Sequence, residues 1–215
     1  MTKPAQRFTL AGPAGVIEAA IEAPDRDGAI AAAVVCHPHP LFGGTMQNNV
    51  VVHAARALAA AGIPAVRFNF RGAGGSSGTH ADGVGEPDDL RAVLGDLEHR
   101  LPGRRLILAG VSFGAGVSFA VADTHAGIAA LIGMGVPLTR REIAPLRTRR
   151  PTLIIQGEHD EFGSPAAVHA FARACAGDVQ VAIIAGAPHL FLGHLAQVRA
   201  AITAFVAPLF DTSPG

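Results

Sequence analysis

The chain has 215 residues, enough for one domain with a sizeable core, and its 17 basic and 17 acidic residues cancel to a formal net charge of zero. That balance offers no electrostatic basis for binding nucleic acid or an anionic membrane. Two isolated cysteines, Cys36 and Cys175, fit a reducing compartment better than a disulfide framework.

The opening MTKPAQRFTLAGPAG contains no signal-peptide apolar region, and no uncharged span reaches transmembrane length. A cytoplasmic location is expected. Two short strands are predicted near residues 7–10 and 16–21, and a Pro-Asp-Arg-Asp-Gly turn follows at 24–28. Strand–helix alternation then begins. Strand 30–36 leads to helix 46–61. Strand 65–70 leads to helix 88–101, with Asp88 and Asp89 where helix starts favour acids. Strand 104–109 leads to a helix after Ser112. Strands 128–133 and 152–156, helix 165–176, strand 179–184 and a helix from about 194 to 206 complete the series, and 211–215 reads as a frayed tail. This order predicts an α/β fold over residues 1–215, with a mostly parallel central sheet and helices on both faces.

Ligands of such sheets bind beyond the carboxyl ends of the strands. The segments that follow the strands here are HPHPLFGG after 36, RGAGGSSG after 70, Ser112 after 109, GEHDEFG after 156 and AGAPHLF after 184. The loops at 61–64 and 101–103, on the opposite edge, carry nothing reactive.

Gly110-Val111-Ser112-Phe113-Gly114 joins an apolar strand to a small-residue helix, the context a nucleophile elbow needs. A serine on so sharp a turn is strained, and side chains two residues to either side would clash, hence Gly110 and Gly114. Ser112 could instead cap the helix. Gly74-Gly75-Ser76-Ser77-Gly78 matches the same pattern but lies in glycine-rich loop, so Ser76 reads as loop.

A serine hydroxyl needs a base, and the base needs an orienting acid. In the order Ser…Asp…His, His189 follows the last strand, with His194 and His159 as rivals. Asp160 follows the preceding strand, with Glu158 and Glu161 near enough to compete. The oxyanion requires two N–H donors. Phe113, next after the serine, supplies one. Pro38 and Pro40 lack an N–H, which leaves His39 or Leu41 and Phe42 for the other, and Leu41 is preferred because Gly43 and Gly44 let the chain turn. An H-x-H metal pair of His37 and His39 is disfavoured, since no third ligand stands at an obvious spacing.

These motifs resemble the α/β-hydrolase superfamily, specifically small cap-less bacterial serine hydrolases with a CHPHPLFGG-type oxyanion loop, and are similar to those of dienelactone-hydrolase-like enzymes. The resemblance spans roughly residues 30–207 and is carried by 36–44, Asn69-Phe70-Arg71-Gly72 with the glycines after it, 110–114, 157–160 and Pro188-His189. It implies an α/β-hydrolase fold without a cap domain, and acyl transfer through a serine acyl-enzyme without a cofactor. Two features depart from relatives. Dienelactone hydrolases use cysteine where this chain has Ser112, and only about eighteen residues separate strand 128–133 from the next, too few for the lid many relatives insert.

The expected substrate is a small-molecule carboxylic ester with a small or extended acyl group. Thioesters or peptides suit the same apparatus, and a non-catalytic binding protein of this fold is the reading from another class. Phe42, Met46, Met134, Phe162 and Phe191, near the catalytic loops, are candidates for an apolar acyl pocket and equally for ordinary core. The run Arg140, Arg141, Arg147, Arg149 and Arg150 reads as a solvated face. A nucleotide loop is excluded, because the sole lysine is Lys3.

Overall fold

All six side chains of β3 (Ala31–Cys36) are buried. They alternate between two cores, with Ala32, Val34 and Cys36 on one face and Ala31, Ala33 and Val35 on the other. A strand with apolar neighbours above and below belongs in the middle of a sheet covered on both sides. The computed structural model, which describes residues 4–24, 30–140 and 143–210, has that arrangement. The other strands are β1 (Gln6–Gly12), β2 (Gly15–Glu22), β4 (Ala65–Phe68), β5 (Arg105–Val111), β6 (Ile128–Met134), β7 (Thr152–Gly157) and β8 (Val179–Ile184). They form one sheet in the order β1-β2-β4-β3-β5-β6-β7-β8. The β1–β2 hairpin and the β2–β4 pairing are antiparallel, and every pairing from β4 to β8 is parallel.

Among the described residues five α-helices cover the sheet. α1 (Asn49–Ala60) and α5 (Leu195–Phe210) bury Val51, Leu58, Val198 and Ile202 against one face. α2 (Glu86–Arg100), α3 (Phe113–Ala122) and α4 (Pro165–Ala174) bury Leu90, Leu94, Phe119 and Phe171 against the other. Between β6 and β7 the described residues contain no helix, in keeping with a fold that lacks a cap. Among the described residues no helix is long and apolar enough to cross a membrane.

Element boundaries differ from the sequence reading for local reasons. α1 starts at Asn49 because Asn48 Oδ1 accepts the Val50 N–H at 2.9 Å and caps it. Met46, expected in that helix, is drawn toward β4. Its N–H donates to Asn69 Oδ1 (2.8 Å) and its carbonyl accepts from Arg67 (2.6 Å). α2 starts behind Gly85, two residues early, and Asp89 is buried in a clasp on Arg71 instead of capping the helix. The turn at 25–28 and the tail at 211–215 lie outside the described residues.

The site follows from the strand order. From β3 the chain crosses to β4 on one side, and from β5 it proceeds to β6 on the other. The loops leaving β3 and β5 therefore diverge, and a crevice opens at their carboxyl ends.

Candidate active site

Ser112 stands at the tip of β5 with φ 53° and ψ −115°, a left-handed backbone that a non-glycine residue adopts only under constraint. Its N–H donates to Met134 O at 2.8 Å. The flanking glycines are required by space. A Cβ on Gly110 would lie 2.3 Å from Gly114 O, and one on Gly114 would lie 2.6 Å from His37 O. Although Ser112 occupies the N-cap position of α3, its side chain makes no capping bond. Its Oγ lies 2.9 Å from His189 Nε2 instead.

His189 Nδ1 lies 2.8 Å from Asp160 Oδ2. The Asp160 carboxylate is buried and fully engaged, with Oδ1 accepting from Phe162 N–H (2.8 Å) and Oδ2 also accepting from Gln156 Nε2 (2.7 Å). The Phe162 ring packs edge-on against the His189 ring, with centroids 4.6 Å apart. Two of the rivals are occupied elsewhere. His194 Nδ1 meets Leu192 O, and Glu158 accepts from Gly186 N–H. Ser76 is structural: its hydroxyl donates to Asn69 O (2.6 Å) and accepts from Glu18 N–H (3.0 Å).

Gln156 escaped the sequence reading. Besides Asp160, its amide donates to Gly163 O (2.9 Å) and accepts from Val136 N–H (2.8 Å). It thereby ties the loops after β6 and β7 to the acid. A glutamine in the otherwise apolar strand TLIIQG was the available signal, since a buried amide must find partners.

The loop after β3 is pinned by His37, which is fully buried. Its Nδ1 bonds the Pro38 carbonyl (2.6 Å) and its Nε2 accepts from Phe70 N–H (3.0 Å). Burial drives its pKa down to about 4, against the Pro38 carbonyl and the Glu86 charge, so the ring is neutral. With both nitrogens engaged, His37 forms no H-x-H pair with His39. The loop after β4 is held to β2, because Asn69 N–H donates to Glu18 O, Asn69 Nδ2 to Glu18 Oε2 and Ser77 N–H to Val16 O.

A cleft of about 790 Å³ opens over Ser112. His39, Phe113, Phe162 and His189 line it, with Phe42 and Arg140 among the other contributors. Phe42, 85% exposed, lies at its rim. Of the expected acyl-pocket residues, Phe42 and Phe162 reach the cleft. Met46, Met134 and Phe191 do not, since each is buried in the interior. Leu41 is also corrected. It is 70% exposed and does not line the cleft, and its N–H turns toward His39 Nδ1 (3.3 Å), which caps a short 3-10 turn at Pro40–Phe42. Arg140 is exposed, in keeping with the solvated reading, and its guanidinium also lies over the Phe162 ring, 4.7 Å from the centroid, in the cleft wall. Arg150 instead donates to the carbonyls of Ala122 and Ala126, and Arg141 lies outside the described residues. The thiol of Cys36 is pushed up to about 12 by burial and takes no part.

Residues 32–199 match the family described as alpha/beta hydrolase domain. A solved structure, XC6422 of Xanthomonas campestris, an a/b serine hydrolase without lid, superposes with a TM-score of 0.91 at 35% identity, covering 100% of this chain and 99% of that one. An alpha-beta serine hydrolase homologue from Coxiella burnetii superposes at 0.87 with 38% identity, over 95% and 97% of the two chains. The uncharacterized protein RP471 of Rickettsia prowazekii (strain Madrid E) is 34% identical over 139 residues, which span 61% of this chain and 58% of that protein. By sequence match and by architecture, the chain belongs to the alpha/beta-hydrolase family and has its cap-less form.

Proposed function

We propose that the protein is a serine esterase that hydrolyses carboxylic esters of small or extended acyl groups. The reading is carried by the continuous relay from Asp160 Oδ2 through the His189 ring to Ser112 Oγ, with spacings of 2.8 and 2.9 Å, at the floor of an open cleft. Ser112 Oγ attacks the ester carbonyl while His189 Nε2 takes its proton. Asp160 keeps Nδ1 protonated and stabilises the imidazolium. The imidazolium then protonates the departing alcohol, leaving an acyl-Ser112. A water, deprotonated by His189, attacks that acyl-enzyme, and the acid leaves as the proton returns to Ser112. Through both halves the oxyanion is held by the Phe113 N–H at the start of α3 and by a second donor. With Leu41 turned away, that donor is assigned to the His39 N–H. His39 lines the cleft beside Ser112, and its ring lies 5.0 Å from that of Phe113.

Labelling with a fluorophosphonate tests the assignment. One adduct is expected, on Ser112, absent in Ser112→Ala and much reduced in His189→Ala, together with turnover of p-nitrophenyl acetate by the unlabelled protein. An adduct on Ser76, or none, would remove the nucleophile from this reading. A Ser112 adduct without turnover of any nitrophenyl ester would remove the ester.

A further inference from the structure

At the edge of the cleft a second group of reactive side chains converges from two loops. His39 comes from the loop after β3, and His80 and Asp82 come from the loop between β4 and α2. One ligating atom of each lies within 4.8 Å of the others. His39 and Asp82 line the cleft with Ser112. The rings of His39 and His80 are 4.6 Å apart.

His80 is the informative member. Its side chain is 4% exposed, and both ring nitrogens are buried without a hydrogen bond of acceptable geometry. They are nevertheless close to carboxylates: Nδ1 lies 2.9 Å from Glu86 Oε1 and Nε2 lies 3.3 Å from Asp82 Oδ1. Two carboxylates thus converge on one buried imidazole, and Nε2 with Asp82 and His39 forms the beginning of a cation's ligand set. Glu86 is fully buried and accepts N–H bonds from Ala81 and Gly83, both 2.8 Å. A carboxylate behind one nitrogen of a histidine is the arrangement that orients a ligating imidazole toward a metal on the other.

We propose that His39, His80 and Asp82 bind a divalent transition-metal ion of the zinc class in the wall of the catalytic cleft, and that its occupancy slows turnover. Two imidazoles and a carboxylate suit a borderline ion, and three protein ligands leave a fourth position. Ligands around a tetrahedral zinc stand about 3.3 Å apart, so the group contracts on binding. The 90% exposed side chain of Asp82 is the one able to close in. The contraction draws His39 toward His80, and with it the loop assigned the second oxyanion donor. The effect on turnover therefore rests on the esterase reading, whereas the binding does not.

Calorimetric titration of the chelator-treated, full-length protein with zinc chloride near pH 7.5 should give one ion per chain. Binding should weaken at least tenfold in His80→Ala and in Asp82→Ala, and should persist unchanged in Ser112→Ala. Absence of binding overturns the site, as does binding that survives both substitutions. Asp82→Ala, altering an exposed side chain, keeps the test informative if His80→Ala fails to fold. In parallel, nitrophenyl acetate turnover by the wild type should fall in step with occupancy, while Asp82→Ala should keep its own zinc-free rate at the same zinc concentration. Binding without inhibition overturns the second half of the proposal. If no variant turns over esters, the esterase reading fails while the titration still decides the site.

Discussion

Gln156 and His37 sit behind the reacting atoms and shape what those atoms can do. Gln156 joins Asp160 Oδ2, Gly163 O and Val136 N–H through one amide. Gln156→Leu strands those partners, at a cost of about 1–3 kcal/mol. If that cost falls on the orientation of Asp160, kcat drops by roughly 5- to 150-fold with little change in KM. Steady-state kinetics on nitrophenyl acetate, with a urea midpoint from the same sample, separate this from general destabilisation. His37 ties stability to pH. Its folded pKa, lowered from 6.5 to about 4 chiefly by burial, means that the unfolded chain takes up a proton in that window while the folded chain does not. Stability therefore falls as pH drops from about 6.5 to about 4, by up to about 3 kcal/mol from this group. Glu86, whose folded pKa is depressed, adds its own loss only as pH falls through the carboxylate range. The urea midpoint of the wild type should decline between pH 7.5 and 5, and His37→Gln should show a shallower decline from a lower start.

The elements that hold Ser112 do so by close approach. α3 lies so near the loop after β3 that a methyl group on Gly114 would meet the carbonyl oxygens of both His37 and Cys36, at 2.6 and 2.7 Å. Gly114→Ala should cost about 1–3 kcal/mol of stability and lower kcat as the elbow shifts, measurable as a fall in thermal midpoint alongside the loss of turnover. This packing marks what was legible beforehand. The strands of the parallel sheet were readable because their side chains are apolar on both faces, so β3 and, after Arg105, β5 read as unbroken apolar runs. The approach of Ser112, Asp160 and His189 was readable too, because strand ends at one edge of such a sheet must face one crevice. Met46, Met134 and Phe191 were not placed, since proximity in sequence to a loop does not say which way a side chain turns. Leu41 was misassigned because the His39 ring, not the glycines, sets the direction of its N–H. Gln156 was signalled only by a polar side chain in a buried strand, and His80 and Asp82 gain their meaning from His39 on another loop, which no local pattern announces.

Across the whole molecule, the site lies open because no helix intervenes between β6 and β7 among the described residues. An enzyme with nothing to displace has no reason to accelerate at a lipid surface. Its rate on tributyrin should rise hyperbolically and show no jump where the substrate passes its solubility limit. A jump would mean that some segment covers Ser112 and withdraws. The antiparallel hairpin at the edge of the sheet bears on the site from a distance. Through Glu18 it holds the Asn69 side chain and the Gly75 N–H, and through Val16 it holds Ser77. The same Asn69 fixes the Met46 N–H just ahead of α1. That ribbon is thus a splint for the rim. Shorn of it, the parallel layers could still stack, but the loops framing the reaction chamber would lose the strut that gives them a common shape.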